Sequence, residues 1–131
     1  MLGELASEDL VVADLEAGVG TLLRMQPRDV DVALVMCEPS TKSIEVAQRA
    51  ADIAADRAAV VVVANRVHGD DDVGMIRNAF LNRDVVVVPN DPAIGDADRL
   101  GHAPIDHDPD APGVRAIRVL SERVLKVSPR S

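Results

Sequence analysis

Val60-Val61-Val62-Val63-Ala64, closed by Asn65-Arg66-Val67, is the stretch that decides the fold. Four consecutive valines do not alternate with polar residues, so a strand built from them has no wet face. Three further short apolar runs resemble it: residues 10–13, 32–37 and 85–88. Strands buried on both faces occur in parallel sheets covered by helices. Helical patterns fill the intervals. Ser40 to Arg57 opens on Pro39-Ser40, with Ser40 placed to cap, and carries an Ile44/Ala47/Ala51/Ala54 stripe thin enough to lie close on a sheet. Asp70 to Leu81 starts with three aspartates, which suit the positive end of a helix dipole, and repeats Val73, Ile76 and Phe80 on one side. Pro112 to Lys126 starts with proline and carries Val114, Ile117, Ser121 and Val124 on one side. The stretch between residues 13 and 32 is ambiguous. The Asp- and Pro-rich stretch from Asp91 to Pro112 reads as an irregular loop. Strands alternating with helices predict an α/β fold with a mostly parallel sheet of about four strands and flanking helices.

The 131 residues suit one domain, and 47% apolar against 27% charged residues indicates a globular chain. Aromatics are 1%, with Phe80 alone, so the core is aliphatic and no stacking platform for single-stranded nucleic acid exists. A net charge of −8 argues against direct binding of a nucleic-acid backbone. One cysteine excludes an internal disulfide and a multi-cysteine zinc site. No apolar run reaches the roughly 20 residues of a membrane helix, and the first nine residues carry no signal-like core. The expectation is a cytoplasmic protein without an integral membrane segment.

Ligands of open parallel sheets bind beyond the carboxyl ends of the strands. The residues there are Asp14-Leu15-Glu16-Ala17-Gly18, Glu38-Pro39-Ser40, Asn65-Arg66-Val67 and Pro89-Asn90-Asp91. These words resemble the second half of a ParA/MinD-type P-loop ATPase. They are most similar to the carbon monoxide dehydrogenase maturation (CooC-like) ATPases. The resemblance runs from about Asp9 to the end and adds Ser43-Ile44-Glu45, Ile94 and Asp96-Ala97-Asp98. It implies a partial P-loop NTPase fold of the SIMIBI type, spanning 1–131 as one partial nucleotide-binding domain from the Walker B strand and switch to the C-terminus. Asp14 would be the Walker B aspartate, holding Mg²⁺ through water. Gly18 would close the switch, where a backbone amide approaches the γ-phosphate of ATP. Asn65 would read the adenine edge, and Pro89 and Asp91 would close over the base.

The phosphate-binding loop of that family is missing. No G-x-x-x-x-G-K-[ST] occurs, and the lysines are Lys42 and Lys126 only. Gly18-Val19-Gly20 reads as a switch turn. Phosphoryl transfer rests on positioning and charge neutralisation, so catalysis by this chain alone is not expected. In the family the phosphate-loop strand lies between the two strands that here would be residues 10–13 and 32–37. Its absence leaves two valine-lined edges, which either close on each other or take a strand from another chain. The expected partner is a complementary ATPase half or a second copy, with a metalloenzyme as client. The alternative is a non-catalytic interaction module that docks to a related ATPase or metalloenzyme. A response-regulator-like receiver ranks last, because Asp14 is not part of an acidic pair.

His102, Asp106, His107, Asp108 and Asp110 have side chains that bind Ni²⁺ or Zn²⁺, but interspersed prolines favour an acidic surface loop. Asp70-Asp71-Asp72 reads as a charged helix start. Ten aspartates against three arginines between Asp70 and Asp110 make a solvated acidic face, or a docking surface for a basic partner. Ser40 and Ser43 lie near Glu38 without a histidine placed to activate them, so a hydrolase triad is not expected. Glu16 either positions a water or faces solvent. Cys37, at the end of an apolar run, reads as a packed thiol.

Overall fold

The structure, a computed structural model, describes residues 10–15, 18–27 and 29–127. Three strands form one parallel sheet in sequence order: β1 (Val32–Cys37), β2 (Ala59–Val67) and β3 (Asp84–Pro89). Helices α1 (Gly18–Arg24), α2 (Thr41–Ala55), α3 (Asp70–Ala79), α4 (Pro92–Leu100), α5 (Pro104–His107) and α6 (Pro112–Val127) surround it. The valine run is the central strand, and Val61, Val62, Val63 and Ala64 are fully buried.

Alternation along β2 divides the core into two layers. Val62, Ala64 and Val67 face α2 and α3, where Val35, Cys37, Ile44, Ala47, Ala51, Ile76 and Phe80 complete the packing. Val61 and Val63 face α6 and meet Val86, Val88 and Leu120. The alanine stripe of α2 is buried throughout, because small side chains let the helix lie close on the valines. Ser40 caps that helix through its hydroxyl, which accepts a hydrogen bond from the Ser43 N–H at 3.2 Å. Arg57 ties the end of α2 back to the loop after α1, with Nε donating to the Met25 carbonyl at 2.9 Å.

Five expectations are corrected. Residues 10–13 form no strand: Leu10, Val11 and Val12 are 69%, 51% and 85% exposed, so the segment gains nothing from the sheet. The sheet among the described residues therefore has three strands, not about four. The stretch after Asp91 is not irregular. Asp91 caps α4 with Pro92 as its first residue, and Gly101 ends that helix at φ 72°, which glycine takes without strain. On α6, Val114 is buried and Val124 packs against the sheet-side cluster with Ala116 and Leu120, while Ile117 and Ser121 are exposed, so only part of the Val114/Ile117/Ser121/Val124 stripe faces the core. The ambiguous stretch holds α1, with Gly18 at its first position rather than in a turn.

β1 is an edge. Its residues Val35 and Cys37 lie over α2, but Leu34 and Met36 pair in register with Val61 and Val63 on the α6 side. There they are 42% and 54% exposed, because the core under α6 is built from β2 and β3 and takes in only Val32 of β1. No described helix is long and apolar enough to cross a membrane.

Candidate functional site

The carboxyl ends of all three strands open onto one shallow crevice of about 450 Å³, lined by Glu38, Pro39, Ser40, Arg66, His68 and Asn90. Parallel order puts these ends side by side, and each strand supplies part of the wall. A neighbouring recess of about 380 Å³ is lined by His68, Gly69 and Asp70 to Asp72.

The β1 side of the crevice is fixed by local hydrogen bonds. The Glu38 N–H donates to Ser43 Oγ at 2.9 Å, while Ser43 N–H donates to Ser40 Oγ. Both hydroxyls are thus engaged as acceptors in starting α2. Cys37 lies below, 1% exposed, with Sγ 3.5 Å from the Glu38 carbonyl. Burial pushes its pKa up, the Ser43 hydrogen bond opposes this, and the Glu38 charge adds to the rise. A buried thiol held in its neutral form is a packing group, not a nucleophile.

The β2 side is irregular. Register with β3 slips between Ala64 and Val67, so Asn65 and Arg66 form a bulge. Arg66 has φ 56° and pairs with Glu38 across the crevice, Nη1 to Oε1, at 3.6 Å. The chain regains register at Val67, whose carbonyl accepts from the Asn90 N–H at 2.9 Å. His68 then turns into α3, its N–H donating to Asp72 Oδ2 at 2.9 Å.

The expected site residues fare differently. Asn65 is half-buried on the bulge, and Pro89 is half-buried at the end of β3, but neither is among the residues lining the crevice. Asp91 is half-buried with both carboxylate oxygens taken: Oδ1 accepts from Ala93 N–H at 3.0 Å and Oδ2 from Gly113 N–H at 2.7 Å. Asp14 is exposed and ends no strand, and Gly18 opens α1. Glu16 and Ala17, which complete the switch word, lie outside the described residues. Glu38, Arg66, His68 and Asn90 are what the strand-end reading brought near but did not single out. No local signal singled out Arg66, whose place on the bulge follows from how β2 pairs with β3.

The metal readings find no geometry among the described residues. The His102 and His107 rings approach with centroids 6.1 Å apart, but no group of three His, Cys, Asp or Glu is arranged to hold an ion. Asp70 to Asp72 open α3 as a charged first turn.

No protein-family model matches the chain, and no curated protein matches it.

Proposed function

We propose that the chain is a ParA/MinD-like (CooC-like) segment that carries the base-recognising part of a nucleotide site, does not hydrolyse ATP by itself, and works after a strand from another segment joins β1. One observation supports this above the others. β1 is the strand that the resemblance sets beside the phosphate-loop strand, and its outer edge is unpaired among the described residues, with Leu34 and Met36 bare on the α6 side. An unpaired apolar edge is an unfavourable surface to leave in water. Residues 10–13 do not cover it by pairing.

In this reading the crevice at the strand ends takes the ligand. Asn65 sits on the bulge beside the crevice, outside its lining, and offers one donor and one acceptor to a purine edge laid over that rim, while Pro89 ends the neighbouring strand. Asp91 holds the wall in place through α4 and α6 rather than touching the base. The residues present do not fit Mg²⁺: Asp14 stands exposed and ends no strand, and no group of three His, Cys, Asp or Glu is arranged to hold an ion among the described residues. No step is therefore assigned to a metal in this chain, and Mg²⁺ contacts fall to the joining segment. The interaction-module alternative keeps the same edge and dispenses with the ligand.

The test is binding of fluorescent adenosine to the 131-residue chain, together with its solution mass. Saturable binding that Asn65→Ala weakens about tenfold, with no ATP turnover, is the expected result. A strictly monomeric chain whose β1 amides exchange as slowly as those of β2 would remove the need for a joining strand. Absence of adenosine binding would leave the interaction module.

A further inference from the structure

Arg66 breaks a local rule. Among the described residues it is the one non-glycine with positive φ, at 56°, where a side chain with a full stem is strained. Asn65, next to it, is the residue type that tolerates such a conformation better. The structure instead places an arginine there, on the bulge that ends the central strand and at the wall of the crevice. Strain at a strand end is retained where the side chain has a task that a relaxed residue would not perform.

The surroundings identify the task. The guanidinium is 70% exposed and its ion-pair partner, Glu38, is 55% exposed, at 3.6 Å. An exposed pair of this kind contributes little, so the guanidinium can exchange one oxygen acceptor for another. His68, whose Nδ1 lies 3.7 Å from Asp72 Oδ2 and leaves Nε2 as its remaining ring nitrogen, and Asn90 line the same crevice and carry further N–H donors. A planar guanidinium with flanking donors matches a tetrahedral oxyanion better than a lone carboxylate. With a net charge of −8, the chain has no general attraction for anions, so any anion binding must arise from local donors.

We propose that the crevice is a site for a phosphate-type oxyanion, in which Arg66 is the charged ligand, His68 and Asn90 flank it, and Glu38 holds Arg66 until the anion displaces it. Free phosphate and the phosphate of a nucleotide share this chemistry. Only the second source rests on the function proposed above.

The experiment is an amide-shift titration of the full 131-residue chain with pyrophosphate. Saturable shifts at Arg66, His68 and Asn90 are expected. Arg66→Gln is expected to weaken binding about tenfold or more, and Glu38→Gln to tighten it about threefold by removing the competing carboxylate. Arg66→Gly is expected to lose binding yet melt higher than the parent chain, because glycine takes this φ without strain. Arg99→Gln, on α4, is expected to change nothing. Absence of saturable shifts, or equal affinity in Arg66→Gln, overturns the proposal. Further arms with ATP and adenosine separate the sources. Pyrophosphate and ATP binding equally, with adenosine inert, supports the oxyanion site and sinks base recognition. ATP binding tighter than pyrophosphate, with the gain lost in Asn65→Ala, supports both. Adenosine binding without pyrophosphate binding overturns the oxyanion site alone.

Discussion

Asp91 Oδ2 accepts a 2.7 Å hydrogen bond from the backbone N–H of Gly113, 22 residues further along the chain. Its other oxygen caps α4, so one side chain fixes the starts of two helices and the wall that carries Asn90. Asp91→Ala is expected to destabilise the fold by about 2 kcal/mol, the sum of a lost cap and an orphaned amide. Gly113 serves the same clasp. A Cβ there would lie 2.7 Å from Ile94 Cδ1, 3.0 Å from Asp91 Cβ and 3.2 Å from Asp91 Oδ2. Ile94 can swing away but the Asp91 stem cannot, so Gly113→Ala is expected to cost about 1–3 kcal/mol. Urea melts of both variants check this.

This clasp also shows what the sequence could and could not reveal. The valine run, the alanine stripe and the Ser40 cap are local patterns, and each predicts its element because the relevant contacts repeat at a fixed period. Asp91 was legible as a polar residue after a strand, but its partner lies across the fold, and no spacing announces it. The open face of β1 was hidden for the same reason. Val32–Cys37 reads as buried on both sides, yet which strands a helix covers is a tertiary matter, and α6 leaves Leu34 and Met36 bare. Residues 10–13 have the composition of a strand without a neighbour to pair with. The crevice followed from topology alone; the Arg66 conformation came from a bulge that composition does not encode.

Core substitutions should divide sharply by layer position. Ile76 is fully buried between α3 and the valines, whereas Leu81, five residues later, is 79% exposed. Ile76→Ala is expected to destabilise by about 2–5 kcal/mol through lost burial and a residual cavity. Leu81→Ala is expected to stay within about 0.5 kcal/mol. Thermal melts of the two variants side by side decide it.

Cys37 predicts a pH dependence. Its pKa is raised above the ordinary 9.0, chiefly by burial, so the folded chain keeps the thiol protonated where the unfolded chain would release the proton. The folded state then binds more protons, and stability falls as pH rises. The contribution is fully present below pH 9.0 and is lost as pH climbs through the folded pKa. Cys37→Ala should flatten this alkaline slope. A series of urea melts above neutrality, with and without the substitution, measures it. Thiol labelling of the parent chain should likewise wait for unfolding.

Neighbouring positions on β1 should respond oppositely to charge. Val35 is 7% exposed beneath α2, while Met36 is 54% exposed on the bare face of the edge strand. A lysine at 35 would place an ammonium among Val62 and Ile44 with no partner, so Val35→Lys is expected to prevent folding. A lysine at 36 keeps its charge in water and blunts the edge against strand addition. Met36→Lys is therefore expected to melt within about 0.5 kcal/mol of the parent chain while lowering its self-association at high concentration. Melting curves and static light scattering on the two variants read both halves. Equal damage at 35 and 36 would mean that Met36 is covered in solution by the chain itself, and the joining strand would have no place to bind.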